Sequence, residues 1–172
     1  MNPALSAPDP MTLRHAALRL TPDAPIEAVT PRLDAPFDGL PTDRDFIAMR
    51  ASYRATGGTA RGDDLGRLLE DRRRGDGVSL ARLIVSGEVF GFEWQRTFWI
   101  PMFQFELRDL SRKPGPRQVL AELASEFDGW TLAQWFAQPN CWLNERRPVD
   151  VLDANLPAVL GAARADRFIA AG

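Results

Sequence analysis

Apolar positions in this chain follow a helical period over most of residues 43–172, switch once to strict alternation, and lose any period in the proline-rich residues 1–42. In residues 43–56, DRDFIAMRASYRAT, the positions Phe46, Ile47, Met49, Arg50 and Tyr53 recur at helical spacing, and Gly57-Gly58 supplies a stop. A first helix is predicted there. The stretch DDLGRLLEDRRRG offers Leu65, Leu68 and Leu69 as one apolar face, with Asp63 or Asp64 as cap and Gly75 as stop. GVSLARLIVSG then sets Ser79 ahead of Leu80, Leu83, Ile84 and Val85. Two short helices joined by a Gly-Asp-Gly turn follow. The intervening TGGTARG precedes a helix but lacks the lysine-serine ending of a phosphate-binding loop, and reads as a flexible inter-helix connection.

The period changes at Gly87. EVFGFEWQ places Phe90, Phe92 and Trp94 on one face, and TFWIPMFQFE repeats the aromatic enrichment after a turn near Gln95, Arg96 and Thr97, which predicts a β-hairpin. Pro101 has no N–H for a ladder, so the second strand is expected at a sheet edge or with a bulge. A lone hairpin is marginal in water, so its aromatic face is expected to pack on the flanking helices.

Helical spacing returns afterwards. Pro116 suits a first helical position, with Val119, Leu120, Leu123 and Phe127 as the stripe. GWTLAQWFAQP makes another helix that Pro139 ends, and RPVDVLD a single turn begun by Pro148. Asn155 caps a last helix lined by Leu156, Val159, Leu160, Ala163, Phe168 and Ile169. The expected fold is therefore mainly α with one β-hairpin, in the α+β class. The expected organisation is a proline-rich, partly disordered leader over 1–42, a helical region plus hairpin over 43–110, and a helical domain over 111–172.

Composition narrows the function classes. The 172 residues suffice for one good core, and no apolar run approaches the ~20 residues that span a bilayer. The amino terminus lacks the basic-then-apolar layout of a signal peptide, and a single cysteine precludes an internal disulfide, so the cytoplasm is the expected compartment. A formal net charge of -2 argues against a strongly basic nucleic-acid binder.

Candidate chemistry is sparse. Cys141 as a nucleophile would need a base, and the only histidine is His15, in the leader; Cys141 therefore reads as a small buried apolar residue beside Trp142. One histidine and one cysteine make no zinc site, and no acidic calcium loop occurs. The carboxylate pairs Asp63 with Asp64 and Asp150 with Asp153 fit capping and solvation. No catalytic residue, metal or cofactor is expected, and the chain reads as a non-enzyme. The basic cluster Arg72, Arg73 and Arg74, with Arg82 on the following helix, is the candidate DNA contact. All five tryptophans, Trp94, Trp99, Trp130, Trp135 and Trp142, lie in the carboxy-terminal half; most are expected in the core, and an exposed one would suit a protein interface.

The stretch WTLAQWFAQPNCWLNERRPVDVLDANLPAVLGAARADRF resembles the carboxy-terminal toxin-binding domain of Xre/MbcA/ParS-type antitoxins. The features that carry the resemblance are Trp135, Pro139, Asn140, Trp142 and Leu143 in a loop, Arg147, Pro148, Val149 and Leu152 in a turn, and a final alanine-rich helix from Leu156 to Phe168. FWIPMFQFE resembles the hairpin with a Phe-Gln-Phe element that many of these proteins carry, so that the likeness spans about Val78 to Gly172.

The resemblance implies binding and neutralisation of a cognate toxin, often of the NAD-consuming RES type, by the carboxy-terminal domain. It also implies promoter binding by an amino-terminal helix-turn-helix; here DDLGRLLEDRRRGDGVSLARLIVSG has the lengths but diverges in its polar surface. The toxin-contacting candidates are Trp142, Arg146, Arg147, Arg164, Arg167 and Phe168. The alternatives are a DNA-binding regulator working through residues 63–87 and an interaction protein without a toxin partner. The expected partners are a toxin, promoter DNA and a second copy of the chain, with no membrane.

Overall fold

The computed structural model describes residues 41–71 and 79–172. The expectations of a leader and of a Gly-Asp-Gly turn fall on residues outside these. Helix α1, Asp43–Ser52, starts in a capping box: the Asp45 amide donates to Thr42 Oγ1 at 3.3 Å and the Thr42 amide donates to Asp45 Oδ2 at 3.0 Å. Two donors at the helix start are thereby satisfied. The helix turns Met49 and Tyr53 into the core while Ile47 faces solvent, and after a 3₁₀ turn at Arg54–Thr56 the chain reverses at Gly57, whose φ of 101° favours glycine.

The next residues depart from the loop expected of TGGTARG. Thr59–Arg61 is a strand, β1, running directly into helix α2, Gly62–Asp71. Three residues are too few for alternation to show, and the pairing partner lies far along the chain. Helix α3, Leu80–Val85, is capped by Ser79, whose hydroxyl accepts from the Arg82 amide. Its apolar set divides: Leu80 and Leu83 are buried, whereas Val85 is exposed, as is Leu68 on α2.

Strands β2, Phe92–Trp94, and β3, Thr97–Pro101, form the expected hairpin, with Gln95 and Arg96 both at positive φ, as a tight two-residue hairpin turn requires. Gln95 Nε2 donates to Asp43 Oδ1 at 2.8 Å, tying the turn to the start of α1. The antiparallel order is β1-β3-β2, so β3 is central and the expected edge position is corrected. Pro101 is accommodated as the last residue of β3, opposite Thr59, and the following Met102 amide donates to Gly58 O at 2.9 Å.

The Phe-Gln-Phe element lies in a turn: Met102–Gln104 is 3₁₀, and Gln104 is buried. Its amide acts in place of a strand neighbour, since Oε1 accepts from the Phe90 amide at 2.8 Å and Nε2 donates to Phe90 O and Pro101 O at 2.9 Å each.

Helix α4, Pro114–Leu123, begins two residues earlier than expected, with Pro114 in the first turn and Pro116 buried. Helix α5, Gly129–Ala137, is capped by Asp128. Its first residue must be glycine, because a Cβ there would lie 2.1 Å from Gly91 O, where the helix start meets the chain entering β2. A short α6, Pro148–Val151, leads through the Asn155 cap into α7, Leu156–Ala170. Helix α7 buries Val159, Ala162 and Ala163 against α4 and the 3₁₀ turn that follows α5; Phe168 and Ile169, expected on that stripe, are exposed.

The architecture is mainly helical with a small sheet, in the α+β class. The main core joins Met49, Tyr53, Phe90 and Phe92 to Val119, Phe136, Val149 and Val159, so residues on both sides of position 110 share it. Each large side chain buried in this way contributes roughly 1.5–3 kcal/mol. A second cluster lies under α2 and α3, built from Leu65, Leu80, Leu83, Val89, Ile100 and Phe105. No described helix is long and apolar enough to cross a membrane.

Candidate partner-binding surface

The stretch between α5 and α6 is a closed loop built by one asparagine. Pro139 follows the end of α5, and Asn140 then caps the 3₁₀ turn Cys141–Leu143 by accepting the Trp142 amide on Oδ1 at 2.9 Å. The Asn140 amide donates to Arg146 O at 3.1 Å, and Asn140 O accepts from the Leu143 and Glu145 amides at 3.0 and 3.1 Å. Asn144 and Glu145 take positive φ to close the circuit. Leu143 is the residue of this turn that reaches the core.

Cys141 is therefore exposed, which corrects the expectation that it is buried. A three-residue turn offers one inward position, and Leu143 fills it. Trp142 projects outward with 55% of its surface accessible, against the half-buried state of the other four tryptophans. It is nevertheless held: Nε1 donates to Asp166 Oδ1 at 2.9 Å.

Asp166 organises the whole site. Its Oδ2 accepts from Trp135 Nε1 and from Asn140 Nδ2, each at 2.7 Å, so one carboxylate on α7 ties together α5, the loop cap and the exposed indole. The sequence reading missed it. A signal was present, because Val159, Ala162, Ala163 and Asp166 share one helical face, and an acid continuing an apolar stripe needs donors from a neighbouring element.

The arginines named from sequence are mostly engaged. Arg147 pairs with Asp150 at 2.6 Å, and Arg164 and Arg167 both reach Glu122 on α4 at 2.8 Å. Glu122, also missed, is the anion that fixes the two arginines of α7. Arg146 is exposed and forms no ion pair among the described residues. Phe168 is 80% accessible. It lies two residues beyond Asp166 and therefore about 200° around the helix, whereas exposed Ile169, three residues on, lies about 60° away. By helical position Ile169 falls on the side of α7 that carries Asp166 and its bonded Trp142, and Phe168 falls on another.

Arg82 is exposed on α3, and Arg72, Arg73 and Arg74 lie outside the described residues, as does His15. Among the described residues no cluster of histidine, cysteine, aspartate or glutamate could hold a metal ion. Three of the four candidate carboxylates are paired: Asp64 with Arg67, Asp150 with Arg147 and Asp153 with Lys113. A cleft of about 360 Å³ between Gly57, Phe105, Leu107, Val149 and Leu152 is lined by none of the predicted site residues.

No family model, curated protein or solved structure matches this chain. The site is an exposed indole fixed by a carboxylate, which differs from the concave, polar-lined form typical of a small-molecule pocket.

Proposed function

We propose that this protein is an antitoxin-like binding protein of the cytoplasm, which neutralises a cognate toxin through the surface formed by α7 and the Trp142 loop. The observation that carries the reading is the exposed Trp142 indole fixed by Asp166. An exposed tryptophan held in one orientation loses little rotamer freedom on binding, and such residues anchor protein interfaces. The protein acts by covering its partner, without chemistry of its own. A toxin of the NAD-consuming RES type is the partner the sequence resemblance implies, and self-association into a dimer would present two such surfaces.

The test is co-expression with the product of the adjacent reading frame. The expected result is a neighbour that arrests growth when expressed alone, is tolerated with this protein, and co-purifies with it. A neighbour that neither binds nor harms the cell rejects the proposal.

A further inference from the structure

Resting on that reading, we infer that the partner receives Trp142 in an apolar pocket that supplies no hydrogen-bond acceptor, and sets a single carboxylate against Arg146. The indole has one donor, and it is already given to Asp166 at 2.9 Å. The other two donors on that carboxylate, from Trp135 and Asn140, hold Asp166 in place, so it does not swing away to release the indole. What Trp142 presents outward is ring surface. The nearest exposed large apolar residue on α7 by helical position is Ile169, which would extend the apolar contact. An acceptor placed in the receiving pocket would be buried without a partner, which selects against pockets that have one.

The charge pattern specifies the second element. Three arginines of the region are neutralised internally, Arg147 by Asp150 and Arg164 and Arg167 by Glu122. Of the four arginines in the Trp142 loop and α7, Arg146 is the one with no ion pair among the described residues, and its carbonyl is bonded to the amide of Asn140, the residue that caps the Trp142 turn. The complementary surface is therefore an apolar socket with one acid at its rim. Phe168, on another side of α7, falls outside the footprint.

Calorimetric titration of the adjacent reading frame's product against a set of single variants tests this. Trp142→Phe keeps an apolar ring without a donor and should bind within about 5-fold of the wild type, while Trp142→Ala, and Trp142→His with its polar ring, should each weaken binding by about 30-fold or more. Arg146→Gln should weaken it by about 5-fold and flatten its salt dependence, with Arg164→Gln and Phe168→Ala within about 2-fold. All four positions are exposed, and melting temperatures check that each variant is folded. Trp142→Phe as weak as Trp142→Ala, or unchanged binding by Arg146→Gln, overturns the inference and leaves the proposed function standing. A wild-type chain that binds nothing in the same titration overturns both.

Discussion

The Trp142 indole donates to the Asp166 carboxylate across 2.9 Å, and the other oxygen of that carboxylate takes Trp135 and Asn140 at 2.7 Å each. The exposed anchor and the hydrogen-bonded tie between α7 and α5 therefore depend on the same side chain. Asp166→Ala strands two part-buried donors and should lower unfolding free energy by about 2–4 kcal/mol. In Asp166→Asn the remaining carbonyl keeps Trp135 and Asn140 while its amide faces the Trp142 donor. Denaturant unfolding should show about half the alanine loss, and acrylamide should quench Trp142 more readily than in the wild type.

Gln104 is the other polar group on which the fold depends. It is buried and makes three hydrogen bonds to the backbone of Phe90 and Pro101. Gln104→Leu fills the space but leaves those backbone groups unpaired, for an expected loss of about 2–4 kcal/mol by chemical denaturation. Loss below about 0.5 kcal/mol would mean that the backbone finds other partners.

Tyr53 gives the protein an alkaline limit. Burial pushes its phenol well above the ordinary value of 10.0, because the phenolate would lose its hydration, and its hydroxyl donates to Ala133 O. The unfolded chain ionises from about pH 10 and the folded chain resists, so this contribution is complete below that pH and declines as pH rises through the folded value. Tyr53 is the sole tyrosine, so the tyrosinate absorbance that grows in above the background of the five tryptophans reports on it alone. The expected titration coincides with unfolding, and Tyr53→Phe should remove that part of the alkaline sensitivity for about 1 kcal/mol of lost hydrogen bonding.

The helices and the hairpin were legible because their signals are local: Ser79 and Asn155 cap where apolar spacing begins, and aromatic alternation marks β2 and β3. Strand β1 was not, since Thr59–Arg61 has no pattern of its own and exists through pairing with β3. Burial along α7 was legible over its first turns and misjudged at Phe168 and Ile169, where the elements it packs against no longer cover the stripe. Within the site, Trp142 and Arg146 could be named from sequence. Asp166 was marked only by its place on the apolar stripe of α7, and Glu122 by nothing, because their partners depend on which elements become neighbours in space.

Cys141, exposed and adjacent to Trp142, offers the most direct measurement, since it is the sole cysteine and so reports on this one position. Its alkylation by iodoacetamide can be followed by mass spectrometry of the Cys141 peptide in the free protein and in the complex with the adjacent reading frame's product. The account predicts rapid labelling of the free chain and at least about 10-fold slower labelling in the complex, as expected of a thiol beside a desolvated anchor. An unchanged rate in a stoichiometric complex would place the interface elsewhere and contradict it.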